Sequence, residues 1–395
     1  MMGAEAFCEG ALAAGVRFFA GYPVTPATEI FEIMARRLPE VGGKCIQMED
    51  ELGAISACMG ASLVGVKAIT ATSGPGFTLM QSGISDAAAS EIPVTVINIQ
   101  RAGPGAGNAT SSGQMELMQA RWGGNGDQAR IVLAPSSVEE AYLLTIKAVN
   151  FAERFRVPVI VQSEQFIAHM RETVRVPDPC DVEVVDRALP TVDREEYHPY
   201  EAADVTDVPP MAPVGSDYRA MYFYTYGTTG FGGPPGTPWR PRSPEAIQFF
   251  VRRLLQKVES KRDEIIMAEA TGVDDADIVV VAYGSMARSA QAAVLKARER
   301  GIRAGALKLL TLWPFPYDIV ATAAQRARTV IVPEMSLGQL EGEVLKALRG
   351  HDAEIVPMQR VDTIFISDDD IVQQIRDCQG ARREAGGARA AKRPA

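Results

Sequence analysis

VKAITATSGPGFTLMQSGISDAAASEIPVTVINIQ, residues 66–100, decides how the chain folds. VKAIT is a short β-branched run closed by hydroxyls, glycines and a proline; residues 82–91 form an amphipathic segment; VTVINIQ is a second apolar run. Runs this short and this apolar predict strands buried on both faces, and a helix between two of them predicts a parallel crossover. Working outward, the alternation repeats. GVRFFAGYPV, KCIQM, ARIVLAP and VPVIVQS read as further strands, with amphipathic segments at 51–63 and 137–152. The expected fold class is α/β, a doubly wound parallel sheet over residues 1–176. Ligands in such sheets lie outside the carboxyl ends of the strands, so the loops that follow strands are the candidates for chemistry.

Beyond residue 176 the texture changes. Residues 177–244 are rich in proline, glycine and aromatic side chains and lose all periodicity, yet they are too aromatic for a disordered segment. An ordered, irregular connecting arm is expected there, either a strap on this chain or a subunit contact. A smaller α/β domain is expected over 245–378, with a helix at 243–270, strands in ADIVVVAYG, RAGALKLL and RTVIVPEM, and a helix at 285–300. The stretch 379–395 reads as a basic flexible tail.

Composition narrows the function. With 47% hydrophobic residues the chain can build a large core, and a net charge of −9 argues against nucleic acid or an anionic membrane as partner. Cys8, Cys45, Cys58, Cys180 and Cys378 are scattered without C-x-x-C spacing, and the three histidines, His169, His198 and His351, form no plausible triad. No metal site is therefore expected in this chain. The N-terminal residues lack a basic leader and no window reaches the length of a membrane span, so a cytoplasmic protein is expected. Neither a P-loop nor a dinucleotide fingerprint occurs, and GPGAG at 103–107 is not one.

Four loops after strands hold the polar residues. In the first, Tyr22-Pro23-Val24-Thr25-Pro26, the prolines confine the direction of the Thr25 hydroxyl. Thr25 reads either as an ordinary N-cap or as a hydroxyl facing a ligand at a helix N-terminus. The second puts Glu49, Asp50 and Glu51 ahead of GAISACMGASLVG, a run so small and apolar that a buried helix is expected, with a carboxylate on its first turn buried too. A solvated capping cluster is the other reading. The third, Thr72-Ser73-Gly74-Pro75-Gly76, lets backbone approach a ligand. The fourth begins with Arg101 at the end of VTVINIQ and suits a carboxylate or phosphate, or a structural ion pair.

Together these loops, with the later LTLWPFP and VPEMSLGQL, resemble the alpha subunit of the 2-oxoacid:ferredoxin oxidoreductases, nearest the 2-oxoglutarate and 2-oxoisovalerate types, across residues 4–370. The resemblance implies a pyrimidine-type thiamine diphosphate domain followed by a transketolase-C-terminal-like α/β domain. It also implies an activity, the coenzyme A-dependent oxidative decarboxylation of a 2-oxoacid to acyl-CoA, CO2 and reduced ferredoxin. This chain would face the aminopyrimidine of the cofactor. A beta subunit would hold the diphosphate, Mg2+ and an iron–sulfur cluster; a gamma subunit and a ferredoxin-like subunit or ferredoxin would complete the complex, with [4Fe-4S] clusters in partner subunits only. Alone the chain would be inactive.

Residue by residue, Glu51 matches the glutamate that hydrogen-bonds the aminopyrimidine ring nitrogen and favours the imino tautomer that removes the C2 proton. Thr25 matches the threonine touching substrate and cofactor, and Arg101 the arginine that meets the substrate carboxylate. Tyr22, Pro23, Ser73 and Gly74 would line the cofactor cavity. The favoured substrate is 2-oxoglutarate. That type tends to read GPSTG and then Pro-Thr after the arginine, where this chain has GPGAG and then Ala109-Thr110, so 2-oxoisovalerate or an aromatic 2-oxoacid stays an alternative. Two other classes remain, a transketolase-like enzyme, whose Gly-Asp-Gly diphosphate motif is missing here, and a non-catalytic scaffold subunit.

Overall fold

The computed structural model describes residues 1–218, 220, 222 and 244–390. Six strands form in the first part: β1 (Phe18–Gly21), β2 (Lys44–Gln47), β3 (Ala68–Thr72), β4 (Val94–Gln100), β5 (Ile131–Leu133) and β6 (Pro158–Glu164). They pair in parallel in the spatial order β5-β6-β4-β3-β1-β2. Every residue of β3, β4 and β6 is buried, which is why their sequences are continuously apolar. Between and around them run α1 (Gly3–Ala13), α2 (Thr28–Glu40), α3 (Glu51–Leu63), α4 (Pro75–Ala89), α5 (Leu117–Trp122), α6 (Val138–Phe155) and α7 (Gln165–His169). Successive strand residues serve opposite faces: Ile97 and Val159 join a core with Phe7, Ile30 and Val149, whereas Val96 and Ile160 join one with Ile55, Phe77 and Ile84.

After the arm come α8 (Pro244–Glu259), α9 (Arg262–Ile265), β7 (Ala268–Thr271), β8 (Ile278–Tyr283), α10 (Gly284–Glu299), β9 (Ala304–Leu309) and β10 (Thr311–Trp313). The chain continues through α11 (Tyr317–Ala323), β11 (Thr329–Glu334), α12 (Gln339–Ala347), β12 (Glu354–Gln359) and α13 (Asp368–Ala390). The second sheet has the order β12-β11-β8-β9-β7, parallel except for β7 against β9. The single helix expected at 243–270 is thus corrected: its amphipathic face, with Phe250, Leu254 and Val258, ends at Glu259, and residues 268–271 form a strand. AEAT carries no apolar run because β7 is a half-open edge.

One strand crosses between the units. β10 leaves the second sheet and pairs antiparallel with β5, which makes the first sheet seven-stranded. The cores merge accordingly: Phe77, Val132 and Ile160 belong to the same buried cluster as Val279, Leu309 and Phe315.

The described part of the arm is irregular apart from a short 3-10 turn at Pro179–Asp181. It is held down by buried polar side chains. Arg187 pairs with Glu153 of α6 at 2.6 Å and donates to the Ser62 carbonyl. Arg156 donates to the carbonyls of Pro199, Pro209 and Pro210, and Tyr200 packs edge-on against Phe250 of α8. The most proline- and glycine-rich stretch of the expected arm, 223–243, lies outside the described residues. So do residues 391–395 of the expected tail, while 379–390 continue the α13 helix.

Candidate active site

Strands β2, β1, β3 and β4 lie side by side and point the same way, so the four loops leaving their carboxyl ends converge over one part of the sheet. In the first loop the N-cap reading of Thr25 is corrected. The Thr25-Pro26 peptide is cis, the Ala27 N–H closes a turn onto the Val24 carbonyl at 2.7 Å, and α2 starts at Thr28 with Ala27 as its N-cap. The Thr25 hydroxyl therefore serves no cap, and the residue is exposed, as is Tyr22, beside half-buried Pro23.

At the second loop the acidic residues divide their work. Asp50 is the N-cap of α3: its Oδ1 accepts the Gly53 N–H at 2.7 Å, and it is exposed. Glu51 turns inward and is 6% exposed. The helix behind it is buried on one face only, through Ala54, Ile55, Cys58 and Ser62, while Leu52, Ser56 and Gly60 face outward. A helix made almost wholly of small and apolar residues does not disclose in its composition which face is covered, so the expectation of a fully buried α3 is corrected.

The third loop fits against both neighbours through its glycines. A methyl group on Gly76 would stand 2.2 Å from Glu51 Oε1 and 2.3 Å from Thr72 Oγ1, so no other residue lets α4 begin this close to the carboxylate. Gly74 has φ +54° and a methyl there would meet Arg101 Nε at 2.8 Å. Arg101, 7% exposed, donates from Nη1 to the Thr25 carbonyl at 2.7 Å, which ties the fourth loop to the first.

The polar groups gathered here are conspicuously unsatisfied. Thr72 Oγ1, Ser73 Oγ and Arg101 Nε are buried without a hydrogen-bond partner, and no hydrogen bond among the described residues engages the Glu51 carboxylate. An orphaned buried donor or acceptor costs about 1–3 kcal/mol, so three of them on neighbouring loops at the carboxyl edge of the sheet, Thr72 Oγ1 beside Glu51, mark a place shaped for a polar ligand. An aminopyrimidine offers the ring nitrogens and amino group that such a set can bond, so the residues present fit that part of thiamine diphosphate.

Sequence reasoning missed Glu116. It sits just ahead of α5, 8% exposed, and accepts from Asn98 Nδ2 at 2.6 Å. Burial pushes its carboxyl up to about 7, against the lowering effect of Asn98, the Arg101 charge and Gly74. No motif surrounds it in the sequence; only the fold brings it under the third loop.

Family models and known relatives match most of the chain. Residues 9–226 match the family described as "Pyruvate flavodoxin/ferredoxin oxidoreductase, thiamine diP-bdg", and residues 276–367 match "Pyruvate:ferredoxin oxidoreductase core domain II". The chain is 44% identical over 358 residues to the 2-oxoglutarate synthase subunit KorA of Methanothermobacter thermautotrophicus, covering 90% of this chain and 93% of that one. It is 34% identical over 371 residues to the ketoisovalerate oxidoreductase subunit VorB of Methanothermobacter marburgensis, covering 94% and 95%. Among solved structures it superimposes on 2-oxoglutarate:ferredoxin oxidoreductase from Magnetococcus marinus with a TM-score of 0.85 at 30% identity, over 95% of this chain. The chain spans 64% of the length of that structure's chain.

The doubly wound sheet and the loops at its carboxyl edge thus define the class, a thiamine-diphosphate-binding module joined to a second α/β unit. The chain belongs to the 2-oxoacid:ferredoxin oxidoreductase family and stands among its alpha subunits. No helix of the described residues is long and apolar enough to cross a membrane.

Proposed function

We propose that this chain is the alpha subunit of a complex that oxidatively decarboxylates 2-oxoglutarate with coenzyme A, giving acyl-CoA, CO2 and two electrons for ferredoxin. The observation that carries the reading is Glu51, 6% exposed and without a hydrogen bond among the described residues, set close to the orphaned Thr72 hydroxyl on loops that also leave Ser73 Oγ and Arg101 Nε unpartnered. Thiamine diphosphate, when bound, supplies a nucleophilic carbon and an electron sink for decarboxylation. Glu51 in this reading holds a hydrogen bond to an aminopyrimidine ring nitrogen.

Arg101 meets the carboxylate of the oxoacid. One arm of its fork is fixed on the Thr25 carbonyl, so the remaining donors are pre-aimed and little rotamer freedom is lost on binding. Thr25, Tyr22 and Pro23 would edge the same cavity, with Ser73 and Gly74 across from them. The diphosphate, Mg2+ and iron–sulfur clusters are assigned to partner subunits, beginning with a beta subunit; the relatives' names, which call them subunits, support a multi-subunit complex. Higher identity to the 2-oxoglutarate relative than to the ketoisovalerate one supports the order of substrates.

The test is anoxic co-expression of the chain with its neighbouring subunits, followed by ferredoxin or viologen reduction with coenzyme A and a panel of 2-oxoacids. The highest kcat/KM is expected with 2-oxoglutarate; a preference for 2-oxoisovalerate would overturn the substrate while keeping the chemistry. No reduction with any oxoacid by an assembled, cofactor-loaded complex would leave the scaffold reading.

A further inference from the structure

VPEMSLGQL, residues 332–340, closes β11 and opens α12 in the second unit, away from the four loops of the site, yet its polar groups reach back into the first unit. Gln114, wholly buried, meets Met335 twice: its backbone N–H donates to the Met335 carbonyl at 3.0 Å, and its Oε1 accepts the Met335 N–H at 3.1 Å. Its Nε2 donates to Glu164 Oε1 at 2.8 Å and to the Tyr283 carbonyl at 3.1 Å, at the ends of β6 and β8. Both amide hydrogens and the amide oxygen of Gln114 are thus engaged, and they join the first sheet to two strands of the second. Gln339 adds to the grip: its Nε2 donates to the Met115 carbonyl at 2.6 Å, and its Oε1 accepts the Met118 N–H at 2.9 Å.

The segment held in this way is laced to the start of the fourth loop. The Ala102 N–H donates to the Ser111 carbonyl at 2.9 Å, and the Gly103 N–H to Met115 Sδ at 3.3 Å. A methyl group on Gly113 would stand 3.1 Å from both Ala102 Cα and the Arg101 carbonyl oxygen. Arg101 therefore leaves β4 with its backbone lying directly on residues 111–115. Its guanidinium has a bond from Nη1 to the Thr25 carbonyl and an unpartnered Nε, so its aim depends on where that backbone is held.

We propose that Gln114 is a positioning residue for the oxoacid: it pins residues 111–115 between the two units and so sets the height and angle at which Arg101 presents its fork. The inference rests on the reading of Arg101 as the carboxylate anchor. It gives the second α/β unit, which supplies none of the four loops, a part in substrate binding. A bidentate pair tolerates little displacement, and a shift of about 1 Å in a group that orients substrate can cost about 100-fold. The carboxylate is present from the moment the oxoacid binds, so a displaced Arg101 weakens binding and the loss falls mainly in KM.

In the assembled, cofactor-loaded complex, Gln114→Ala should raise the KM for 2-oxoglutarate about tenfold and leave kcat within about threefold of the parent. Gln339→Ala loosens the same segment from the half-buried end of α12 and should raise KM in the same direction by about threefold; it takes the place of Q114A if that variant does not assemble. The decisive measurement is a double-mutant cycle with Arg101→Lys. Once the fork is gone its aim no longer matters, so adding Q114A to R101K should change KM by less than about twofold.

A parental KM in both Q114A and Q339A would overturn the positioning role, and so would an effect of Q114A that persists undiminished beside R101K. R101K alone tests the underlying reading: an unchanged oxoacid KM would remove Arg101 as the anchor, whereas a raised KM beside a silent Q114A keeps the anchor and strikes only Gln114.

Discussion

Glu51 and Glu91 are both carboxylates shielded from water, at 6% and 0% exposure, and their surroundings are opposite. Glu91 follows α4 with φ 52° and receives Arg253 Nη1 at 2.9 Å, Arg253 Nη2 at 2.5 Å and Lys257 Nζ at 2.6 Å. Burial alone would raise its carboxyl, but Arg253, Lys257 and Arg156 reverse that and hold it well below the usual carboxylate range. That knot joins the first domain to α8 and, through Arg156, to the arm. Glu51 has no such bonds. Burial therefore does not distinguish a site from a strut; saturation does. A carboxylate whose lone pairs are all engaged holds the fold together, and one left free beside other orphaned atoms awaits a ligand.

Four substitutions would break or sharpen that contrast. The largest effect is expected from Glu51→Gln, which should lower kcat of the assembled complex by about 10²–10⁴-fold, the range for a lost proton-handling group, with the thermal midpoint unchanged. An equal loss of stability would put Glu51 in the same class as Glu91. Glu91→Gln should do the reverse, lowering stability by about 3–5 kcal/mol because three buried cations lose their anion, while surviving complex keeps its kcat. The pH dependence follows from the depressed carboxyl: the knot's contribution is complete above the unfolded-state value of about 4.3 and is lost as pH falls below it. Thermal denaturation from pH 7 down to pH 3 should show a steeper loss for the parent than for Glu91→Gln.

Arg101→Lys comes next. Losing the fork but keeping the charge should reduce kcat/KM for the oxoacid by about 1.5–3 kcal/mol, roughly 10–150-fold and mostly in KM. Smallest is Asp50→Ala, which removes the α3 cap and should cost about 1 kcal/mol by thermal unfolding. A far larger fall in kcat than in stability would mean that the cap also sets the angle at which Glu51 enters the site.

Much of this was legible in the sequence. The strands read from VKAIT and VTVINIQ stand as β3 and β4, and the loops named after β1 to β4 meet where the doubly wound pattern puts them. What escaped has identifiable causes. β10 has three residues and β7 is a polar edge, so neither offers a period to detect. β12 contains Pro357, which reads against a strand but is tolerated at a sheet edge. Thr25 looked like a cap because Thr-Pro before a helix usually is one, and the local turn moved the cap to Ala27. Glu116 had no signature because its hydrogen-bond partner, Asn98, sits 18 positions earlier on β4, and only the fold brings the two together.

The strand β10 has a bearing on how the protein is made. The outer edge of β5 in the first sheet is covered by residues 311–313, so the ribosome has released β5 and β6 long before their last neighbour exists. At about 5–20 residues per second, the roughly 150 residues between β6 and β10 take about 7–30 s to emerge. Throughout that interval the nascent sheet carries an open, apolar margin, which makes β5 the segment where a folding helper would be expected to bind during synthesis.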